Sequence, residues 1–480
     1  MSEKNENILE DLKIDESTVN PFRYKKFNDK YLITNDFGFY YFLEPFQFKK
    51  YIEGELSRSS ELFSNLVKYG FIKNEKNKSY LYSRIANKNS RLKTGPGLHI
   101  VVVTLRCNYN CIYCQASSKG MEKKELDMDV ETAKKVVDRV FETTSKNITI
   151  EFQGGEPMVN WKVVKFIINY ARGKESTTDK KVKFSLVTNL SLMNEKRFRF
   201  LTNNGVNICT SLDGPKELQN KNRPFPKGDS YQPIKKWINK SNNYNGVNKI
   251  SALLTVSKFA LDKPKEIIDE YRSFGYSHVH LRPLSNLGQS AGDAKNQIGY
   301  SPKKFMDYWR ESMDYILDLN KKGELFVERG SKIMLTKILT NRDPGFTDLA
   351  SPCGAVLGQV VYNYNGDLYT CDEGRMLEED VFKLGNIDNI SYEEMVNSDI
   401  CKTMIDASIL ENQPCDLCVY KPYCGVCPVK NYAAEGTLFP NIQNTEWCKL
   451  KKSQLNYLFS KLEDEEYERI FKNWVKKRKH

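Results

Sequence analysis

The stretch LHIVVVTLRCNYNCIYCQ, residues 98–115, carries two adjacent signals. Its first half is a continuous apolar run, as expected of a strand buried on both faces of a parallel sheet. Its second half sets Cys107, Cys111 and Cys114 at C-x3-C-x2-C spacing in the loop where that strand ends. Three thiols are one short of a closed tetrahedral zinc site and one too many for a disulfide. A [4Fe–4S] cubane has four irons, usually ligated by Cys thiolates, so three of them leave one iron for another ligand.

Outward from this stretch, strand and helix alternate. DVETAKKVVDRVFET places Ala133, Val136, Val137, Val140 and Phe141 on one helical face. ITIEF, KFSLVT, NICTSLD, KISALLTVS and HVHLRPL read as further strands, separated by helices starting near 159, 194, 230 and 263. Six strands alternating with helices predict a parallel α/β sheet, curled or open. Upstream, KYLITNDFGFYYFLEP is a hairpin followed by two short helices, a small α+β domain over 21–75. Residues 1–20 read as a disordered lead-in and the polar stretch 76–97 as a linker. The barrel spans 98–300, and a bridging helical region 301–350. A Cys-rich segment at 351–450 shows weak secondary-structure signals, so metal is expected to replace an oily core there. A charged helix over 451–480 ends the chain.

At 480 residues, two or three domains are expected. No apolar run is long enough for a membrane helix, and the polar N-terminus is no signal peptide. A cytoplasmic location, with no membrane partner, follows as an expectation. The net charge of +12 is scattered apart from KKRKH at 476–480, so no nucleic-acid partner is expected. Twelve cysteines without an export signal favour metal or catalysis over disulfides. The four histidines, at 99, 278, 280 and 480, leave little for His-based metal chemistry.

Each motif with chemical potential falls at a strand end. QGGEP (153–157) follows the second strand, TNL (188–190) the third, SLDGP (211–215) the fourth with Arg223 after it, and RPL (282–284) the sixth. Gly154 and Gly155 allow close backbone approach, Glu156 suits an ammonium and Arg223 a carboxylate. Asn189 and Ser211 suit ribose hydroxyls. An amine and a carboxylate chelating the open iron describe S-adenosylmethionine (SAM). Residues 98–290 thus resemble the radical SAM superfamily, whose likeness implies SAM contacts from Tyr113, Gln153, Gly154, Gly155, Glu156, Asn189, Ser211, Arg223 and Leu284. The implied fold is a partial (β/α)6 TIM-like barrel.

CDLCVYKPYCGVC (415–427), with Cys353, Cys371 and Cys448, reads alone as a zinc ribbon more often than as an iron–sulfur site. In this setting it resembles the SPASM extension of radical SAM peptide maturases. The likeness implies two auxiliary [4Fe–4S] clusters, three in all. Cys415, Cys418, Cys424 and Cys448 would hold the outer one, and Cys353, Cys371 and Cys427 the inner one. The inner cluster's fourth position is expected to be open to a substrate group, the alternatives being Cys401 or a non-Cys residue. Cys209, in a buried strand, reads as a small core residue. Asp372 matches an acid that serves as catalytic base in sulfatase-maturing relatives. The N-terminal domain resembles elements that bind leader peptides by strand addition.

With HIVVVTLRCNYNCIYCQ, ITIEFQGGEP and VVYNYNGDLYTCDEGRML, the chain is most similar to the His-Xaa-Ser system radical SAM maturases. The resemblance implies a maturase that takes hydrogen from a ribosomally made precursor peptide through a 5′-deoxyadenosyl radical. A thioether or cyclophane cross-link follows, with an electron donor such as flavodoxin or ferredoxin. Alternatives are oxidation of Cys or Ser to formylglycine, epimerisation, or a zinc-binding interaction protein.

Overall fold

The structure, a computed structural model, describes residues 18–244, 248–288, 291, 293–377 and 379–477. Of the lead-in expected over 1–20, residues 1–17 lie outside them, as do 478–480; Val19 departs from that expectation, being buried and bridged to Ile72.

Strands β1 (Arg23–Phe27), β2 (Lys30–Thr34) and β3 (Tyr40–Leu43) form an antiparallel sheet. Asn28 and Gly38 take positive φ, 50° and 81°, at its two tight turns, where Asn and Gly bear that geometry best. One face is covered by helices Pro45–Ile52 and Glu61–Lys68, with Tyr31 stacked on Phe48 at 4.2 Å. The other face docks on the C-terminal part of the chain. Tyr40 lies 5.4 Å from the Phe459 ring, Thr34 Oγ1 donates to Val419 O (2.8 Å) and Lys25 Nζ to Asn456 Oδ1 (2.7 Å). The polar stretch read as a linker holds a helix, Lys78–Lys88.

Parallel strands β4 (Leu98–Thr104), β5 (Asn147–Gly154), β6 (Lys181–Val187), β7 (Val206–Ser211) and β8 (Ser251–Val256) follow in chain order across the main sheet. The sixth is split into β9 (His278–Val279) and β10 (Leu281–Pro283), and only β10 joins the main sheet. Alternate residues, such as Val101, Val103, Ile150 and Phe184, share one apolar core with the covering helices. That core includes the Ala133, Val136, Val137, Val140 and Phe141 face, on a helix capped by Asp129. The other set faces inward. Glu151 on β5 lies within electrostatic reach of Arg282 on β10. Those strands are four steps apart, roughly 19 Å if the sheet were flat. The sheet is therefore curled into an open barrel.

Short β11 (Val327–Glu328) pairs with β9 between helices Pro302–Lys321 and Arg329–Leu339. The Cys-rich segment differs from the expectation of weak secondary structure. Its β12 (Gln359–Tyr362), β13 (Asp367–Tyr369) and β14 (Lys383–Asn386) extend the barrel sheet to nine strands, with β12 parallel to β4. Backbone pairing and an apolar seam of Ile100, Val102, Val361 and Tyr369 hold it there. The last helix is also two, Glu446–Leu462 and Glu465–Val475. Asp464 starts a new N-cap by accepting the Glu466 N–H.

His99 ties β4 to β12, its Nδ1 3.2 Å from Tyr362 Oη and Nε2 3.0 Å from Pro96 O. Complete burial lowers its pKa to about 4. Between the unfolded value of about 6.5 and that level, the unfolded chain binds a proton that the native chain refuses. Stability from this residue is thus intact above that window and lost as pH falls through it, by about 2 kcal/mol at pH 5. Urea midpoints at pH 7 and 5 should fall less between the two for His99→Gln than for the wild type.

Candidate active site

Four strand-end loops converge on the C-x3-C-x2-C loop. At β5, the Gly155 N–H donates to Thr104 O (2.9 Å) and the Glu156 N–H to Arg106 O (2.8 Å). Gly154 has φ +139°, and a Cβ on it would overlap Thr104 O; one on Gly155 would overlap Arg106 O. The close approach that the two glycines permit is therefore to the base of the cysteine loop itself. At β6, Asn189 Nδ2 donates to Asn108 Oδ1 (3.0 Å), and Asn108 Nδ2 to Ser191 Oγ (2.8 Å). After β7, Pro224 O and Asn222 O accept from Asn110 N and Ile112 N. After β10, Gly288 packs on Gln115 O.

Glu156 also has a structural role. Its carboxylate is buried and accepts from Thr188 Oγ1 (2.7 Å), Asn189 N (2.8 Å) and Met158 N (3.1 Å). Two of these bonds fall on Oε1 and one on Oε2, so this residue locks two strand ends together and keeps one acceptor site on Oε2. Arg223 pairs through Nε with Asp213 Oδ2 (3.2 Å), and its Nη1 donates to Cys111 Sγ (3.9 Å). Its Nη2 has no hydrogen-bonding partner among the described residues, leaving one donor for a carboxylate. Tyr113 donates its hydroxyl to Asp213 and lies under the Arg223 guanidinium at 5.0 Å. Ser211 ends β7 half-buried, and Gln153 donates to Glu151 Oε1 (2.7 Å) on the inner wall. Leu284 donates its N–H to Tyr300 Oη (2.7 Å). It lines a cavity of ≈ 440 Å³ shared with Phe305, Lys430, Trp447 and Leu450.

The thiols fall into three groups. Cys107, Cys111 and Cys114 interact electrostatically with one another; so do Cys353, Cys371 and Cys427, and so do Cys415, Cys418, Cys424 and Cys448. The last four line one small pocket. Burial, then the neighbouring thiols, pushes the Cys415 pKa up to about 12; burial, only partly offset by Arg223, pushes Cys111 up to about 11. Grouped thiols of this kind are the sort that metal binding deprotonates. Donors already aimed at sulfur, Arg223 at Cys111 and Ser118 Oγ 3.2 Å from Cys114, fit ligated thiolates. Among the described residues no three His, Cys, Asp or Glu side chains form a single-ion site.

A model of the radical SAM superfamily matches residues 101–271. The chain carries a radical SAM domain. Such a domain works with a [4Fe–4S] cluster and SAM, which makes this chain a radical SAM enzyme. A cysteine-type anaerobic sulfatase-maturating enzyme of Clostridium novyi is 28% identical over 370 residues, 74% of this chain and 93% of the relative. The radical SAM cyclopropyl synthase TigE of Paramaledivibacter caminithermalis is 26% identical over 213 residues, 40% of this chain and 43% of that one. Native anSMEcpe with bound AdoMet shares the fold at a TM-score of 0.66 and 20% identity, covering 78% of this chain and 99% of its own. Streptococcus suis SuiB bound to precursor peptide SuiA gives 0.52 and 12%, covering 88% and 97%.

Sequence reading missed several residues of this radical SAM domain. Asp213 is fully buried and gathers Tyr113, Asn222 Nδ2 (3.1 Å), Arg223 and Thr255 N (3.3 Å). It stood in the quoted SLDGP, but its partners lie on other elements. Cys209 is no core residue. It is half-buried on the inner wall, within electrostatic reach of Glu151 and Arg282. Period-two alternation along each strand, followed across the sheet, would have put Glu151, Cys209 and Arg282 on that face. Asp372 lies near Glu151 across the interior and pairs with Arg375 (3.1 Å). No helix among the described residues is long and apolar enough to cross a membrane.

Proposed function

We propose that this enzyme modifies a ribosomally synthesised precursor peptide and installs an intramolecular cross-link, thioether or cyclophane. The supporting observation is the convergence of four strand-end loops on the C-x3-C-x2-C loop, in a chain that gathers two further thiol groups. The first thiols would hold the SAM-binding cluster and the other seven two auxiliary clusters, three [4Fe–4S] clusters in all. When bound, these groups supply the electron and the 5′-deoxyadenosyl radical that takes hydrogen from a peptide C–H.

The chain's own residues orient and exclude. Arg223 Nη2 would receive the SAM carboxylate, with Asp213 and Tyr113 holding the guanidinium in place. Ser211, Asn189 and Gln153 offer polar groups along the strand ends, and Leu284 closes the sixth-strand side. Asp372 Oδ2 has no partner among the described residues and takes the substrate proton, while Arg375 holds Oδ1. The peptide's leader adds a strand to the outer edge of β3, near exposed Tyr80, whose ring lies 6.4 Å from Phe39. A flavodoxin or ferredoxin is the electron donor.

Anaerobic reconstitution tests this reading. About twelve irons per chain, falling by about four in Cys107→Ala/Cys111→Ala/Cys114→Ala, are expected. Dithionite and SAM should then yield 5′-deoxyadenosine from the wild type alone. Zinc in place of iron, or a loaded protein that leaves SAM intact, would sink it.

The sulfatase-maturating relatives favour one second reading, oxidation of Cys or Ser to formylglycine. A peptide product oxidised at one residue, with no ring on fragmentation, would select it.

A further inference from the structure

The cavity of ≈ 440 Å³ that Leu284 lines has walls from two distant parts of the chain. One wall is the segment after β10. There Leu287 packs in one apolar cluster with Cys353, Cys371 and Cys427, and the next residue, Gly288, packs on Gln115 O of the cysteine loop. The other wall is helix Pro428–Glu435, for which Cys427 is the N-cap residue, together with the first turn of helix Glu446–Leu462. The cavity thus adjoins both the first cysteine loop and the inner thiols.

Its aromatic walls are fixed in place. Tyr300 Oη accepts the Leu284 N–H and donates to Val256 O, both at 2.7 Å, and its ring stacks on Phe305 with centroids 5.7 Å apart. Trp447 Nε1 donates to Gly425 O at 3.1 Å. Each ring has committed its only donor to the chain and presents apolar surface to a ligand. Lys430 and Lys451 each hold an ammonium 4.6 Å from the Trp447 ring centre. Two cations on one wall repel a third, so a Lys or Arg side chain is disfavoured there. Asp348 pairs with Lys430 at 2.6 Å, and Glu435 and Glu446 also line the cavity, so an acid gains little. An apolar cavity of about 150 Å³ takes benzene, so this one has room for an aromatic side chain and the backbone that carries it.

We propose that this cavity is a specificity subsite for the substrate peptide, seating a bulky uncharged side chain, aromatic by preference, close in sequence to the residue that is modified. This rests on the reading of the chain as a peptide-modifying enzyme. Pockets of this size, with apolar and aromatic walls preset by the fold, are the usual form of a small-ligand site.

The probe is the blocked pentapeptide acetyl-Gly-Gly-Xaa-Gly-Gly-amide with the photoreactive aromatic p-benzoylphenylalanine at its centre, irradiated with the reconstituted full chain. Mass spectrometry should place the label on residues 283–287, 430–435 or 445–450. The peptide with Phe at its centre should compete at about tenfold lower concentration than those with Ala or Lys, from the apolar area it buries. Ala434→Trp, which fills the cavity from an exposed lining position, should cut the label about tenfold. Its iron content, SAM cleavage and unfolding midpoint should match the parent's. Label spread over the surface, equal competition by the three peptides, or undiminished label in Ala434→Trp would overturn the subsite. With iron loading and SAM cleavage intact, any of these leaves the proposed function standing. A chain that neither takes the label in this cavity nor cleaves SAM would overturn both.

Discussion

Gly155→Ala is expected to strip the first loop of its iron while leaving the Cys-rich domain loaded. The Gly155 and Glu156 N–H groups bond to Thr104 O and Arg106 O, which sets the backbone of the β5 turn against the stem of the cysteine loop. A Cβ at 155 would overlap Arg106 O and lie 2.6 Å from Leu105 O. Both are main-chain atoms on the exit of β4, so no rotamer change relieves the clash. The turn must lift, both hydrogen bonds break, and Cys107 moves with Arg106. A loss of more than about 4 kcal/mol is expected, at the large end for single substitutions. Iron should drop by about four per chain. Gly173→Ala, on helix Trp161–Glu175 with open space at its Cβ, is the control and should gain about 1 kcal/mol. Wild-type iron content and unfolding midpoint in Gly155→Ala would refute the account.

Asp213→Asn is the second large effect. The carboxylate is 0% exposed and its Arg223 partner 13%. Removing the charge leaves the guanidinium buried without its counter-ion, which typically costs 3–5 kcal/mol, so a loss of about that size is expected. The amide keeps one acceptor oxygen and cannot serve Thr255 N and the Tyr113, Asn222 and Arg223 donors together, so Arg223 also loses its fixed direction toward the cysteine loop. SAM affinity should fall by at least about tenfold, as expected from more than 1.4 kcal/mol of lost orientation. A double-mutant cycle separates charge from shape. Asp213→Asn/Arg223→Gln should be more stable than Asp213→Asn alone, because no uncompensated charge remains. Equal stability of the single and double variants would show that the pair is not what holds the site.

Both predictions turn on residues whose importance was unevenly visible beforehand. The glycines were legible as a tight turn after a strand, yet the surface they approach, the Thr104–Arg106 backbone, is 50 residues away in the chain. Glu156 reads in the sequence as a partner for an ammonium, and the structure adds a second task, joining two strand ends through three hydrogen bonds. Asp213 lies within SLDGP, yet nothing local marks a carboxylate as the meeting point of the cysteine loop, the segment at Asn222–Arg223 and β8.

What the sequence determined by itself is everything with a short period or a fixed spacing. The apolar face of helix Val130–Glu142, the succession of strands and helices, and the three cysteines after β4 need only neighbours within a few turns. The tertiary structure alone decided which distant groups meet. It joined β12 to β4 and set the N-terminal sheet on Phe459. It turned Cys209 into the barrel interior. Local periodicity says which face of a strand is apolar. Only register and closure of the sheet say what that face, or its polar opposite, will touch.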